Sequence, residues 1–142
     1  MSITKATCVT DIWNTIYNHL QTGSYAISTN NIFSAWNSKL AKDTGYPLVI
    51  LFPPHVSFNK TDLHGNITDS KVVENIEVYN TSAANLKSLV DEVCNKLLTG
   101  RKVFSAVRLM NMNITSMDFD DWEEENKRIH RCTMVMEFNY ST

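Results

Sequence analysis

The sequence predicts an α+β fold: a mixed, mainly antiparallel sheet packed against two amphipathic helices in a single domain, residues 1–142. Three observations predict it. Two segments repeat apolar residues at helical spacing, at Asp11–Thr22 and between Leu86 and Leu97. Arg128–Tyr140 alternates with period two. Tyr46–Phe52 is a short apolar run stopped by Pro53 and Pro54. At 142 residues the chain is one domain long, and 43% apolar residues supply a core. Four Gly and 3 Pro exclude a collagen-like or linker-rich chain.

The elements follow in order. In Asp11–Thr22, Ile12, Trp13, Ile16, Tyr17 and Leu20 form one stripe, and Asn14, Asn18 and Gln21 lie mostly off it. Thr10 is the expected N-cap and Gly23 the expected C′ residue. Ser24–Leu40 scatters Ile27, Ile32, Phe33 and Trp36 among Ser and Asn, and predicts one short strand near Ile32–Trp36. Tyr46–Phe52 reads as a central strand buried on both faces, with Pro47 at its first position, where no ladder donor is needed. Lys60–Ser70 is polar, contains Gly65 and reads as a loop or hairpin tip.

Val72–Tyr79 returns to strand character, with Ile76 and Val78 on one face. Thr81 or Ser82 then caps a helix whose Leu86, Leu89, Val90, Val93 and Leu97 share a side, and Gly100 ends it. Arg101 and Lys102 stand near the negative end of its dipole. Val103–Met112 is an expected strand, Asp118–Glu125 an acidic break, and Arg128–Tyr140 the last strand. That strand sets Cys132, Met134, Met136, Phe138 and Tyr140 on one face. The last two strands flank one loop, so they pair as an antiparallel hairpin.

Charge and motifs narrow the function classes. Thirteen basic and 15 acidic residues give a net charge of −2, which offers no general attraction to nucleic acid or to an anionic membrane. No apolar run has the length of a signal peptide or a membrane span, which predicts a chain made in a cytoplasm. Cys8, Cys94 and Cys132 are widely spaced, with no CxxC, and read as thiols, at least two of them in the core. The sequons at Asn59, Asn66 and Asn80 are by-products of an Asn-rich composition. His19, His55, His64 and His130 stand in no hydrolase or zinc motif, and four glycines cannot build a phosphate loop. The expected catalytic residues, cofactors and metal ligands are therefore none. Lys127–Arg131 is basic, but beside so many carboxylates it reads as local charge neutralisation in a strand, not a nucleic-acid contact.

The most unusual segment is Asp118, Phe119, Asp120, Asp121, Trp122, Glu123, Glu124 and Glu125. Without it the chain holds 13 basic and 9 acidic residues, so the molecule is polarised. Three readings stand open. Asp118, Asp120 and Asp121 could hold a divalent cation, although the spacing is not that of an EF-hand. The run could be a solvated hairpin tip. It could also be a partner interface, with acids ringing two aromatics to suit a basic neighbour.

The order of landmarks resembles a known family. An amphipathic helix (Asp11–Thr22) precedes a Tyr-Pro-led apolar strand (Tyr46–Phe52). A second strand (Val72–Tyr79) leads to a helix stopped by Gly100, and an antiparallel pair closes the chain. From about Val9 to Tyr140 this is similar to the tail terminator, or tail completion, proteins of long-tailed bacteriophages and related minor tail proteins. The resemblance implies small α+β subunits in a hexameric ring that caps the tail tube, stops its polymerisation and joins the tail to the head or neck. The implied partners are further copies of the chain, the tail tube protein and a neck or head-completion protein, with no membrane and no sequence-specific nucleic acid. The implied location is the tail or neck of the virion, after assembly in the host cytoplasm. A head-completion or neck connector protein, a divalent-metal-dependent enzyme using the acidic run, and a free-standing host regulator are the alternatives.

Overall fold

The computed structural model describes residues 8–22, 32–33, 45–61, 63–64 and 67–141. Within them the order is α1 (Cys8–Leu20), β1 (Ile32–Phe33), β2 (Leu48–Leu51), β3 (His55–Thr61), β4 (Ile67–Asn80), α2 (Ala83–Thr99), α3 (Arg101–Ala106), β5 (Leu109–Glu124) and β6 (Lys127–Ser141). The strands form one six-stranded sheet in the order β1-β2-β4-β6-β5, and β3 also pairs with β4. Only β1 and β2 are parallel; β4 is antiparallel to β2, β3 and β6, and β5 to β6. The α+β class and its mixed, mainly antiparallel sheet are as expected.

The helices cover one face of this sheet. Period-two alternation sends Val72, Ile76 and Val78 of β4 and Cys132, Met134, Met136, Phe138 and Tyr140 of β6 to that face, all buried. Ile12, Ile16 and Leu20 of α1 meet them, with Leu86, Leu89, Val90, Val93 and Leu97 of α2. The Trp13 indole N–H donates to the Leu51 carbonyl at 2.9 Å, which ties α1 to β2, and its ring stacks on Tyr17 with centroids 4.5 Å apart. Ser82 is the N-cap of α2 and accepts from the Asn85 N–H at 3.3 Å, which settles the choice between Thr81 and Ser82.

His19, buried in α1, donates from Nε2 to the Lys96 carbonyl at 2.7 Å and lies edge-on to Phe104. Gly100 is needed for this approach: a Cβ there would lie 2.5 Å from His19 Nε2. Gly100 therefore ends α2 by making room, with φ −82°, and not by adopting a left-handed turn.

Several expectations are corrected. The first helix begins at Cys8, so Thr10 lies inside it and is not its cap; Gly23 lies outside the described residues. Of the expected strand near Ile32–Trp36, Ile32–Phe33 is observed and the rest is not among the described residues. The expected central strand is Leu48–Leu51, all buried, with Pro47 just outside it. The expected loop or hairpin tip at Lys60–Ser70 is the tip of the antiparallel β3–β4 hairpin, but shorter than expected: β3 runs to Thr61 and β4 begins at Ile67. Val103–Met112 is not one strand. Its first half is helix α3, held by the buried Phe104 against His19 and Phe138, and β5 starts only at Leu109.

A second, smaller cluster occupies the other face at one end of the sheet. Leu48, Ile50, Tyr79 and Ile129 are buried there, with Tyr46, Phe52 and Trp122 packed against them. The helix-side face holds two buried polar groups without a hydrogen-bond partner among the described residues, the Ser70 hydroxyl and the Glu74 carboxyl. Glu74 of β4, opposite Met136, is 0% exposed, and among the described residues neither carboxylate oxygen has a hydrogen-bond partner. Burial pushes its carboxyl up to about 9.

Candidate functional site

The acidic run is not a loop. From Asp118 to Glu124 it is the second half of the 16-residue strand β5, and only Glu125 belongs to the turn. Glu125 and Asn126 both have positive φ, 50° and 65°, the backbone of a tight two-residue hairpin turn. Asp is a poor strand former, so the pairing partner must stabilise this strand. The register sets Asp120 opposite Arg131, Asp121 opposite His130, Glu123 opposite Arg128 and Glu124 opposite Lys127. The basic stretch noted in the sequence is thus the complement of the acidic run across one hairpin, as expected for local neutralisation.

The charge pairs have defined geometry. Arg131 clamps Asp120 with two bonds, Nε to Oδ1 at 2.9 Å and Nη2 to Oδ2 at 2.5 Å. Hydrogen bonding from Arg131 holds the Asp120 carboxyl below the usual carboxylate range. Arg128 Nη2 lies 3.0 Å from Asp121 Oδ1, and His130 Nδ1 lies 3.7 Å from Asp121 Oδ2. The Arg131 guanidinium sits 5.1 Å from the Trp122 ring centroid, and Trp122 meets Tyr79 edge to face at 6.0 Å. Tyr79 donates its hydroxyl to Glu77, whose Oε1 is 4.0 Å from Arg131 Nη1. Burial pushes the Tyr79 phenol above its usual range.

Strand alternation divides the seven residues from Asp118 to Glu124. Asp118, Asp120, Trp122 and Glu124 take the face away from the helices; Phe119, Asp121 and Glu123 take the helix side. The two aromatics therefore differ. Trp122 is half-buried on the second cluster, whereas Phe119 is 55% exposed. Phe119, with Leu86, Lys87, Asp121 and His130, lines a shallow depression beside the start of α2. Met117, also on the helix side, is 40% exposed. Among the described residues the helices cover β4 and β6, and Met117 and Phe119 of β5 stay exposed beside them.

Asp118 and Asp120 lie on one face and Asp121 on the other, so the three do not converge on a common point. Among the described residues no group of three or more His, Cys, Asp or Glu side chains is placed to hold a metal ion. His19 is a packing residue, and His130 borders Asp121. Cys8 and Cys132 are buried, Cys94 is half-buried, and none is in a disulfide. No helix among the described residues is long and apolar enough to cross a membrane.

Sequence reasoning missed Met117 and the outer edge of β5 as surface features. The signal was present: Met117 and Phe119 share parity with Asp121, a residue too polar for a buried face.

No family model matches the chain, and no curated protein matches it. Among solved structures the chain is similar to one from "Virion of native gene transfer agent (GTA) particle". The two share 14% sequence identity and a TM-score of 0.49, over 92% of this chain and 96% of that one.

Proposed function

We propose that this chain is a structural protein of a tailed virion. It assembles as a ring, of six copies on the family resemblance, at the head-proximal end of the tail tube. There it stops tube growth and presents a second surface to the neck. The observation that carries this reading is the long β5–β6 hairpin at the border of the sheet, with β5 open along its outer edge and Phe119 and Met117 exposed on it. A terminator must bind the last ring of a polymer on one side and present something different on the other, which requires contact surfaces and no reactive group. A sheet with helices on one face and a charged hairpin at its border among the described residues has two dissimilar faces.

The test is removal of the chain from a particle-producing cell, followed by electron microscopy. The expected result is tails of uncontrolled length and heads without tails. Tails of normal length beside unattached heads would instead assign the chain to head completion. Normal joined particles would refute a place in the virion.

A further inference from the structure

The proposed ring leaves open which surfaces join its subunits, and the distribution of charge over the fold supplies an answer. From Asn95 to Met117 the chain holds Lys96, Arg101, Lys102 and Arg108 and no acid. From Asp118 to Arg131 it holds six acids against Lys127, Arg128 and Arg131, so three negative charges stay uncompensated. The fold puts these segments at opposite ends of α2. The start of α2, at Ala83, Leu86 and Lys87, lies beside Phe119 and His130. Its end leads through Gly100 into α3, whose Phe104 packs on Phe138. His130 and Phe138 are eight residues apart on β6, and α2 has 17 residues. Both spans set the two ends about 25 Å apart.

The two ends also differ in shape. At the basic end Asn111, with φ 55°, and Met112 leave the ladder in a bulge between Met110 and Asn113. A cleft of about 520 Å³ opens there between α3 and β5. The buried Phe104, Leu109 and Met112 floor it, and the exposed Arg101, Lys102 and Met110 stand around it. Among the described residues Arg101, Lys102 and Arg108 form no ion pair. Glu137, opposite Asn113, is engaged by Lys71 at 3.1 Å. At the acidic end a side chain stands out instead. Phe119 is the most exposed aromatic among the described residues, and Asp118 and Asp120 flank it. Asp118 and Glu123 form no ion pair among the described residues.

An apolar cleft bordered by cations fits an exposed aromatic bordered by carboxylates, in both packing and charge. Two acidic ends, or two basic ends, would repel each other. We infer that copies of this chain join head to tail, Phe119 of one copy entering the cleft between α3 and β5 of the next, where Arg101 and Lys102 meet the acids around it. The inference rests on the ring reading and specifies the contact between its subunits. A head-to-tail contact repeats until rotation closes it, which is how a ring arises.

The experiment reverses charge at each end, with Arg101→Glu and Lys102→Glu in one chain and Asp118→Lys and Glu123→Lys in another. All four side chains are exposed, so both chains should fold, which circular dichroism and thermal melting check. Mass is measured by light scattering. The wild type is expected as a closed oligomer that dissociates as salt rises. Each variant alone should fall to the 16.2 kDa single chain. Mixed in equal amounts, every end again meets its opposite, and a closed oligomer should return. As a second readout, a full-length chain carrying both Phe119→Cys and Met110→Cys is mildly oxidised. A ladder of covalent oligomers is expected, with none from either substitution alone. No ladder from an oligomeric chain, or a covalent dimer from Phe119→Cys alone, would overturn the proposal. So would an oligomer retained in both charge-reversed variants, although the ring reading would then survive. Loss of duplex DNA binding in the Arg101→Glu, Lys102→Glu chain, at unchanged mass, would assign the cleft to a polyanion and overturn it as well. A wild type that stays monomeric at high concentration would refute the ring and this contact with it.

Discussion

Glu74→Gln should stabilise the protein, and by an amount that depends on pH. The carboxyl is fully buried on the helix side of β4, with no hydrogen-bond partner for either oxygen among the described residues, and burial raises it from 4.5 to about 9. Between these values the folded state keeps a proton that the unfolded state has lost. Stability is therefore highest below the unfolded value, falls as pH rises through the window, and levels off above the folded one. Each pH unit in the window costs about 1.4 kcal/mol. At neutral pH the wild type has thus lost on the order of 3 kcal/mol, a large share of a typical domain's stability. Gln has nearly the same shape and does not titrate, so it keeps the polar burial and removes the slope. Urea unfolding at fixed protomer concentration, repeated from acidic to alkaline pH, measures the difference directly. The two proteins should be nearly equal in acid, with Gln gaining steadily as pH rises. A difference that stays constant across pH would mean that Glu74 reaches water or a cation in the folded protein, and the reasoning would fail.

Leu89→Ala removes a 2% exposed side chain from the α2 face and should cost on the order of 2–5 kcal/mol in denaturant unfolding. Gly100→Ala places a Cβ at 2.5 Å from His19 Nε2 and should lower the melting temperature, with a cost on the order of 1–3 kcal/mol; His19→Ala in the same chain should restore part of it. Asp120→Asn breaks the Arg131 clamp at a site whose side chain is 48% exposed, so the loss should stay below about 1 kcal/mol. By NMR, Asp120 should titrate below the ordinary aspartate range, its small contribution vanishing as pH falls through that lowered value. A thiol reagent should modify the half-buried Cys94 of the folded protein first, and Cys8 and Cys132 only on unfolding, because burial pushes the Cys132 thiol up to about 12.

Where the core imposes a period, the sequence was legible. The stripe from Leu86 to Leu97 and the alternation from Cys132 to Tyr140 each follow from one buried face, and both are observed. Val72–Tyr79 was read from the same alternation, and Glu74 shares parity with Ile76 and Val78, so its burial was implied by the pattern that named the strand. The misreadings fall where local preference and tertiary pairing disagree. Asp118–Glu124 looks like a loop because Asp disfavours strands, yet four cross-strand partners of opposite charge, or chargeable, hold it extended. Residues 103–106 look like the start of a strand, yet one buried aromatic, Phe104, is enough to dock a short helix. β3 offers only Val56 and Phe58 in alternation after two prolines, too weak a period to read without β4 beside it.

The candidate surface was half legible for a related reason. Its composition stands out in the sequence, but its meaning depends on which strand lies at the border. If β5 had neighbours on both sides, Phe119 would be covered and the acids would face other strands of the same chain. Because β5 is last in the sheet order among the described residues, the charges lie at the border of the sheet and Phe119 stays exposed. The intrachain pairs Arg131–Asp120 and Arg128–Asp121 are too exposed to contribute much to stability. Their stronger effect is to fix the hairpin in one register. In a strand a shift of one residue would exchange the two faces and carry Phe119 to the opposite side of the sheet. The cross-strand charge pairs hold that register and leave Phe119 exposed on the helix side of the border.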